Sequence, residues 1–421
     1  MTHDEPQRQT PALRLLFPMH GLIEWNGGID FIRQLASGLS HPSVRSKVIT
    51  TFALPRPSLF NRMLSTTLRR LRFVRSTSAK HIIDSGSASR LLAIAKDAVA
   101  DTAPIISCED SGRGILDAAE RTDADIIFPV MIPLRGGRFP RVGYIYDFQH
   151  HYLPELFSVR TRRNRDRKFA RIAANSDGVM VTSRMAARDA GNFLGLTANR
   201  ILTLPFAPYT LPWRLETDPN AAKKKYGIDR PYLMISNQFW IHKDHETALR
   251  AFALFATRTP EDFCLVCTGD PFDHRNPKHF HNLQELCASL GISDRVQFLG
   301  LIPKSEQIAL LRGSRLLIQP TLFEGDPGGG SVYDAIGLGV TTVISDIEVN
   351  REITGEDVVF FRAGDPEDLS QKISQALSQK APSLSREQLL EKSDRRLRRL
   401  GETIAEFLSA IAAEGRHGKR A

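Results

Sequence analysis

The sequence is poor in cysteine and has no long apolar run. Its 421 residues include 4 cysteines, too few for a disulfide scaffold. Cys264 and Cys267 lie within one apolar run without a second ligand pair, which disfavours a zinc site or a redox motif. No stretch approaches the roughly 20 apolar residues that span a bilayer, and the first residues lack the apolar core of a signal peptide. These absences predict a cytoplasmic protein, with peripheral contact at the inner membrane face left open.

Acidic residues are scarce in the N-terminal half, although the formal net charge of the whole chain is only +9. Residues 1–205 carry a net charge of +11, whereas residues 206–421 carry −2. The excess is concentrated in Arg62–Lys80, with Arg69, Arg70, Arg72 and Arg75, and in Arg160–Arg171. Such clusters suit nucleic acid, anionic lipid or an anionic substrate, and a solvated basic surface is an equal alternative.

Short apolar runs alternate with helical stretches along the whole chain, which predicts parallel α/β layers. Candidate strands in the first half are 13–19, 104–107, 125–130, 142–146, 178–182 and 200–204. Those in the second half are 232–236, 263–268, 296–299, 316–319, 342–345 and 358–361. Both halves are therefore predicted to be doubly wound, Rossmann-like domains.

The proline-rich stretch Pro205–Trp213 disfavours helix and sheet and indicates a domain connection. We therefore expect an N-terminal domain at 1–210, a C-terminal domain at 211–385 and a helical segment at 386–421. Residues 386–414 suit either a solvated helix or one that packs back on the first domain. Because parallel sheets bind ligands at the carboxyl ends of their strands, the site is expected in a cleft between the domains.

The strongest motif runs from Glu324 to Asp334, between a predicted strand and a helix. Four residues directly precede that helix and can offer free backbone N–H groups to a diphosphate or a sugar hydroxyl: Gly328, Gly329, Gly330 and Ser331. Glu324 and Asp334 can accept hydrogen bonds from sugar or ribose hydroxyls. A plain glycine-rich turn is the alternative.

This segment resembles the retaining nucleotide-sugar glycosyltransferases of family 4, which have the two-domain GT-B architecture. Their hallmark is a Glu, seven residues and a second Glu, usually followed by Ala. Glu324 matches the first acid and Asp334-Ala335 the second, with an interval of nine residues. The resemblance implies that Glu324 lies beside the transferred sugar and that Asp334 holds the ribose. It also implies a UDP- or GDP-linked sugar as co-substrate and no further cofactor.

Lys243 follows the predicted strand 232–236 and resembles the family lysine that neutralises the leaving diphosphate. Many members have an arginine five positions earlier, where this chain has Gln238. A solvated lysine at a helix start is the alternative. Ile302 belongs to the loop that in the family reads the nucleobase through backbone groups, so the sequence does not distinguish UDP from GDP.

In the first half, Gly27 and Gly28 begin a predicted helix and resemble the family loop that approaches the donor. A dinucleotide-binding dehydrogenase is disfavoured, because the GxGxxG fingerprint and its ribose acid are missing. Asp147, Gln149 and His150 follow a predicted strand and resemble a family Asp-x-x-His segment. They are expected to contact acceptor or sugar, and His150 could assist proton transfer or be a structural histidine.

The resemblance implies a hexosyltransferase that acts with retention and without a metal. The expected acceptor is a glycan or a lipid-linked molecule of cell-envelope polysaccharide synthesis. One alternative is another GT-B nucleotide-sugar enzyme, such as a 2-epimerase or a phosphorylase. The other is a basic nucleic-acid-binding protein, which is disfavoured because the sequence has no recognisable motif for reading nucleic acid. We expect no nucleic-acid partner.

Overall fold

The computed structural model describes residues 11–24, 26–56, 88–100, 102–379 and 384–417. Their strands form two fully parallel sheets, one in each half of the chain. The basic cluster Arg62–Lys80 lies outside the described residues. No helix in the described part of the chain is long and apolar enough to cross a membrane.

The N-terminal sheet has the strand order β3-β2-β1-β4-β5-β6-β7. Its strands are β1 (Leu13–Pro18), β2 (Val48–Arg56), β3 (Ile105–Glu109), β4 (Ile126–Val130), β5 (Arg141–Tyr144), β6 (Gly178–Val181) and β7 (Ile201–Thr203). The helices of this half are α1 (Asn26–Leu39), α2 (Ala88–Val99), α3 (Gly112–Arg121), α4 (Gln149–Tyr152), α5 (Val159–Ala174) and α6 (Arg184–Leu194).

The C-terminal sheet has the strand order β10-β9-β8-β11-β12-β13. Its strands are β8 (Tyr232–Ser236), β9 (Cys264–Thr268), β10 (Val296–Gly300), β11 (Leu317–Gln319), β12 (Thr342–Ser345) and β13 (Val358–Phe361). The helices that precede and accompany it are α7 (Pro212–Glu216), α8 (Pro219–Lys225), α9 (His245–Arg258), α10 (His279–Ser289), α11 (Lys304–Gly313), α12 (Gly329–Gly337) and α13 (Pro366–Ser378). The long helix α14 (Arg386–His417) ends the described chain.

Both sheets confirm the predicted doubly wound α/β class. Most strand residues are apolar because helices cover both faces of each sheet, as in β4, where every residue is buried. One strand was missed by the sequence analysis. β2 pairs with β1 and β3 along its length, but Thr50 and Thr51 interrupt its apolar run.

Helix α14 packs on the N-terminal half, which decides between the two alternatives for this segment. Its Leu400, Ile404 and Leu408 belong to the core that also contains residues of α1. The helices touch at two glycines, where a Cβ on Gly401 would lie 2.1 Å from the backbone oxygen of Gly38. This close approach of the backbones needs a residue without a side chain.

The two halves also meet at Gly325, in the loop after β11. Its carbonyl oxygen accepts hydrogen bonds from the hydroxyls of Thr182, at 3.2 Å, and Ser183, at 2.9 Å. Nearby, the carboxylate of Glu352 accepts the first backbone N–H groups of α6, at Arg184 and Met185, both at 2.8 Å. The C-terminal half thus caps a helix of the N-terminal half.

Gly401→Ala is expected to destabilise the protein although alanine is the better helix former. The new methyl group would force α14 away from α1, and overpacking of this kind costs about 1–3 kcal/mol of the free energy of unfolding. Gly191→Ala in α6 is the matched control, because its nearest non-local atom would be an ordinary 3.5 Å away. That change should stabilise by up to about 1 kcal/mol. Denaturant unfolding of both variants checks the opposite signs, and a stabilised Gly401→Ala would contradict the packing described for α14.

Candidate active site

A cavity of about 280 Å³ lies between the two halves, at the carboxyl ends of their strands. Eight of the residues expected from the sequence line it: Gly27, Asp147, Gln149, Lys243, Glu324, Gly329, Gly330 and Asp334. Five expected residues are not part of the lining: Gly28, His150, Ile302, Gly328 and Ser331. The cavity therefore brings together the two acids of the glycine-rich motif, the lysine after β8 and part of the N-terminal loop.

Lys243 and Glu324 form an ion pair at the floor of the cavity. Lys243 closes a 3₁₀ turn after β8, and its Nζ lies 2.5 Å from Glu324 Oε1. The two loops are held together beneath the pair, because the carbonyl oxygen of His242 accepts the N–H of Leu322 at 2.8 Å. Both charged side chains are largely buried, at 13% and 9% exposure. The pair therefore presents a cation and a carboxylate at one fixed point of the cleft.

The glycine-rich loop turns sharply into α12. Gly328 and Gly329 have φ of +74° and +70°, a region that favours glycine. A Cβ on Gly329 would also lie 3.2 Å from the carboxyl group of Glu324. The N–H of Gly328 is occupied, because it donates to Asn350 Oδ1 at 2.8 Å. Of the first glycines, Gly329 and Gly330 are therefore the ones that face the cavity at the start of the helix.

Gln319, at the end of β11, is fully buried and supports the glycine-rich loop through hydrogen bonds. Its Nε2 donates to Glu324 Oε1 at 3.0 Å and to the carbonyl oxygen of Gly328 at 2.8 Å. Its Oε1 accepts from Asn237 Nδ2 at 2.5 Å and from the hydroxyl of Ser331 at 3.2 Å. The Ser331 hydroxyl is thus bonded to the supporting amide, whereas the sequence analysis assigned the backbone N–H of this residue to the donor.

Asp334, the acid expected at the ribose, is bound by two cations. Arg214 Nη1 lies 2.9 Å from one of its oxygens and Lys304 Nζ 2.5 Å from the other. Lys304 also pairs with Asp30 of α1 at 2.9 Å, so this network joins the two halves. Burial lowers the pKa of Lys304, but the carboxylates of Asp334 and Asp30 raise it by more. The amine therefore stays charged, and the ribose end of the cleft is an electrostatic network that the sequence did not indicate.

The expected base-reading residue Ile302 lies two positions before Lys304. It is half-buried and packs against the core of the C-terminal half. Its side chain therefore serves packing, and the residue is not part of the cavity lining.

On the N-terminal wall, Asp147 and Gln149 face the cavity as expected. The carboxylate of Asp147 accepts the N–H of Gln149 at 2.8 Å and pairs with Arg165 at 2.5 Å. His150 is 2% exposed, and its Nε2 lies 2.8 Å from Asp166 Oδ1. Burial lowers its pKa and favours the neutral ring. His150 therefore lies outside the cavity lining, bonded through Nε2 to Asp166.

The same carboxylate oxygen of Asp166 also lies 3.1 Å from Nε2 of a second histidine, His151. Within the described part of the chain, His150, His151 and Asp166 form the one cluster of three possible metal ligands. None of the three lines the cavity.

Asp326 lines the cavity but was missed by the sequence analysis. Burial, followed by the charge of Glu324, raises its pKa to about 7. Aromatic side chains from both halves surround the cavity, among them Tyr144, Trp240 and Tyr333. The sequence signal for Asp326 was weak, because an acid two positions after Glu324 is also typical of a turn.

The fold defines the class first: two facing Rossmann-like domains, which is the GT-B fold. HepE from Anabaena, crystallised with UDP and glucose, matches with a TM-score of 0.57 and 14% identity, over 97% of this chain and 99% of that one. Sucrose-phosphate synthase from Thermosynechococcus elongatus matches with a TM-score of 0.58 and 14% identity, over 97% and 98%. At this identity the likeness shows the fold alone.

The family follows from the sequence of the C-terminal half. Residues 218–396 match the model of the glycosyl transferases group 1 family, so this part of the chain is a group 1 glycosyltransferase domain. The serotype-specific mannosyltransferase WbdA from Escherichia coli is 21% identical over 211 residues, 49% of this chain but 25% of WbdA. The D-inositol 3-phosphate glycosyltransferase from Acidothermus cellulolyticus is 26% identical over 201 residues, 45% of this chain and 44% of that protein. The chain thus spans between a quarter and half of these relatives.

Proposed function

We propose that this chain is a hexosyltransferase of the family 4 type, which transfers a sugar from a nucleotide-sugar donor to a glycan or lipid-linked acceptor. The observation that carries the proposal is the Lys243–Glu324 pair, set beside the glycine-rich start of α12 in the cleft between the halves. A cation and free backbone N–H groups suit the diphosphate of a donor, and a neighbouring carboxylate suits the hydroxyls of its sugar.

The reaction breaks the bond between the anomeric carbon and the diphosphate, so negative charge collects on the leaving group. Lys243 and the N–H groups at Gly329 and Gly330 are the groups placed to meet that charge. Hydrogen-bond donors and cations that are already oriented before the reaction stabilise such charge most effectively. When the diphosphate binds Lys243, Glu324 is released from its ion pair. Its carboxylate can then accept a hydrogen bond from a hydroxyl group of the transferred sugar. With the retention that the family resemblance implies, the acceptor would attack the anomeric carbon on its front face.

The nucleoside would extend toward Asp334, as in the family pattern. Its ribose hydroxyls can bond the Asp334 carboxylate while Arg214 and Lys304 hold it in place. HepE was crystallised with UDP and glucose, and the matched E. coli relative is a mannosyltransferase; both support a hexose on a nucleoside diphosphate. The serotype-specific relative and the structural neighbour WaaB, a lipopolysaccharide outer core galactosyltransferase, support an acceptor in cell-envelope polysaccharide synthesis.

A thermal-shift screen of UDP-, GDP-, ADP- and dTDP-sugars tests this function, because a ligand present at 100 times its Kd stabilises by about 2.7 kcal/mol. With the sugar nucleotide that binds, Glu324→Ala and Lys243→Ala should each lower turnover by about 100-fold or more, comparable to the loss of one oxyanion-type contact. Lys224→Ala, on the exposed face of α8, is the matched lysine control. Turnover near that of the wild type in both site variants would refute the assignment.

Transfer is expected to persist in EDTA. The charge of the diphosphate is met by Lys243 and backbone N–H groups, and the acids Glu324 and Asp334 already have cationic partners. Turnover with and without EDTA is the measurement. Complete loss of activity that Mg²⁺ or Mn²⁺ restores would contradict the proposed leaving-group site.

A basic stripe on α5 suits an anionic membrane surface. Arg160, Arg163, Arg167 and Arg171 are all exposed and recur three or four positions apart, which places them on one helix face. None of the four has an ion-pair partner among the described residues. Val159, at the start of the same helix, is 53% exposed. A lipid-linked acceptor would lie at such a surface.

We expect salt-sensitive sedimentation with anionic liposomes and little with neutral ones. Each basic residue near an anionic surface contributes about 1 kcal/mol, so changing the four stripe arginines to Gln should remove most of the binding. Lys224, Lys278, Arg351 and Arg362, four exposed basic residues of the other half, provide a control with the same change in charge. Unchanged sedimentation of the stripe variant would exclude α5 as the membrane surface.

A further inference from the structure

Five acids line the cavity, and four of them have a cationic partner. Asp30 and Asp334 share Lys304, at 2.9 and 2.5 Å. The other two pairs are Asp147 with Arg165 and Glu324 with Lys243, both at 2.5 Å. Asp326 is the fifth, and within the described residues no other side chain donates a hydrogen bond to it or pairs with it.

The position of Asp326 is set by its neighbour. A Cβ on Gly325 would lie 2.2 Å from the carbonyl oxygen of Tyr146 and 2.8 Å from the Cβ of Asp147. The loop therefore touches the N-terminal wall immediately before Asp326. Glu324, on the other side of Gly325, is tied to Lys243. Asp326 thus lies one residue beyond the contact between the loop after β11 and the N-terminal half.

Asp326 shares the cavity lining with a tyrosine from each half of the chain. Burial, and after it the charge of Asp326, raises the pKa of Tyr144 in β5 and of Tyr333 in α12. Both tyrosines line the cavity. The Asp326 carboxylate is therefore available to a hydroxyl group that enters the cavity beside the N-terminal wall.

We propose that Asp326 is a further catalytic residue, the base that accepts the proton of the attacking hydroxyl; this rests on the function proposed above. As the acceptor oxygen bonds to the anomeric carbon, its O–H bond breaks and the proton passes to the Asp326 carboxylate. The bond from the anomeric carbon to the diphosphate breaks, and its electron pair leaves with the nucleoside diphosphate. The proton is then released to water when the product departs.

The charges around Asp326 explain why it can hold a proton near neutral pH. Glu324 on its own loop and Asp147 on the facing wall disfavour its ionisation, whereas Lys243 favours it. Burial outweighs the lysine and raises the pKa to about 7. The basic form therefore prevails above pH 7, so turnover should rise as the pH increases through that value.

The test uses hydrolysis of UDP-glucose or GDP-mannose by the full chain, whichever sugar nucleotide raises its Tm, with water as the acceptor. The wild type should lose about tenfold in kcat for each pH unit below about 7. Asp326→Asn should lower kcat by about 100-fold or more and lose this pH dependence, with an unchanged thermal shift by UDP or GDP. Asp326→Glu, which restores a carboxylate, should regain the pH dependence. Asp229→Asn, at an exposed position outside the cavity, is the matched control.

An Asn variant that keeps the ionisation near pH 7, or that loses less than tenfold in kcat, would overturn the proposal. A variant that loses UDP or GDP binding instead would overturn it as well, because Asp326 would then be a binding residue. If the Asn variant does not fold, the Glu variant and the wild type decide through the pH profile that they should share. A wild type that neither binds UDP or GDP nor hydrolyses a sugar nucleotide refutes the proposed function, independently of Asp326.

Discussion

The absence of a side chain at Gly325 is the constraint on which the cleft depends. Any Cβ there would meet the carbonyl oxygen of Tyr146 at 2.2 Å, so a larger residue would push the two halves apart. The carbonyl oxygen of Gly325 accepts two hydroxyl hydrogen bonds from the end of β6 and the cap of α6. Because Glu324 and Asp326 flank this glycine, the contact that joins the halves also fixes the two acids relative to the opposite wall.

Charge compensation is the second organising feature of the cleft. A buried carboxylate is costly unless it is paired, and removing one partner of a buried pair costs about 3–5 kcal/mol. The Asp30–Lys304–Asp334–Arg214 network satisfies its two acids with two cations from separate segments. It therefore links α1, the start of α11 and the connection between the halves before any donor binds. The ribose end of the site is organised by the fold, and a donor would not have to assemble it.

The sequence predicted the fold class because strands buried on both faces leave a continuous apolar signal. It missed β2, where Thr50 and Thr51 break that signal although β1 and β3 pair on either side. It also left the position of α14 open, since only the fit of Gly401 against Gly38 in another helix shows where the helix packs. Local patterns thus predict elements well and their packing poorly.

The same limit applies to the site. Glu324 and Lys243 were predicted from short motifs at strand ends, and the structure places both in the cavity. The partners of Asp334 could not be predicted, because Arg214 lies 120 positions away along the chain and no local pattern carries that pairing. The motif that indicated His150 is equally local, whereas its burial depends on distant neighbours such as Phe169.

The placement of His150 bears directly on proton transfer. His150 is outside the cavity lining, with its Nε2 bonded to Asp166, although histidine is the residue type best suited to move protons near pH 7. Asp326 lies in the cavity and has its pKa raised into the same range. An acid without a cationic partner lowers the stability of a folded protein, and such groups concentrate where function requires them. In this cleft, where every other acid of the lining is neutralised by a lysine or an arginine, the unpaired carboxylate is the group left free to exchange a proton.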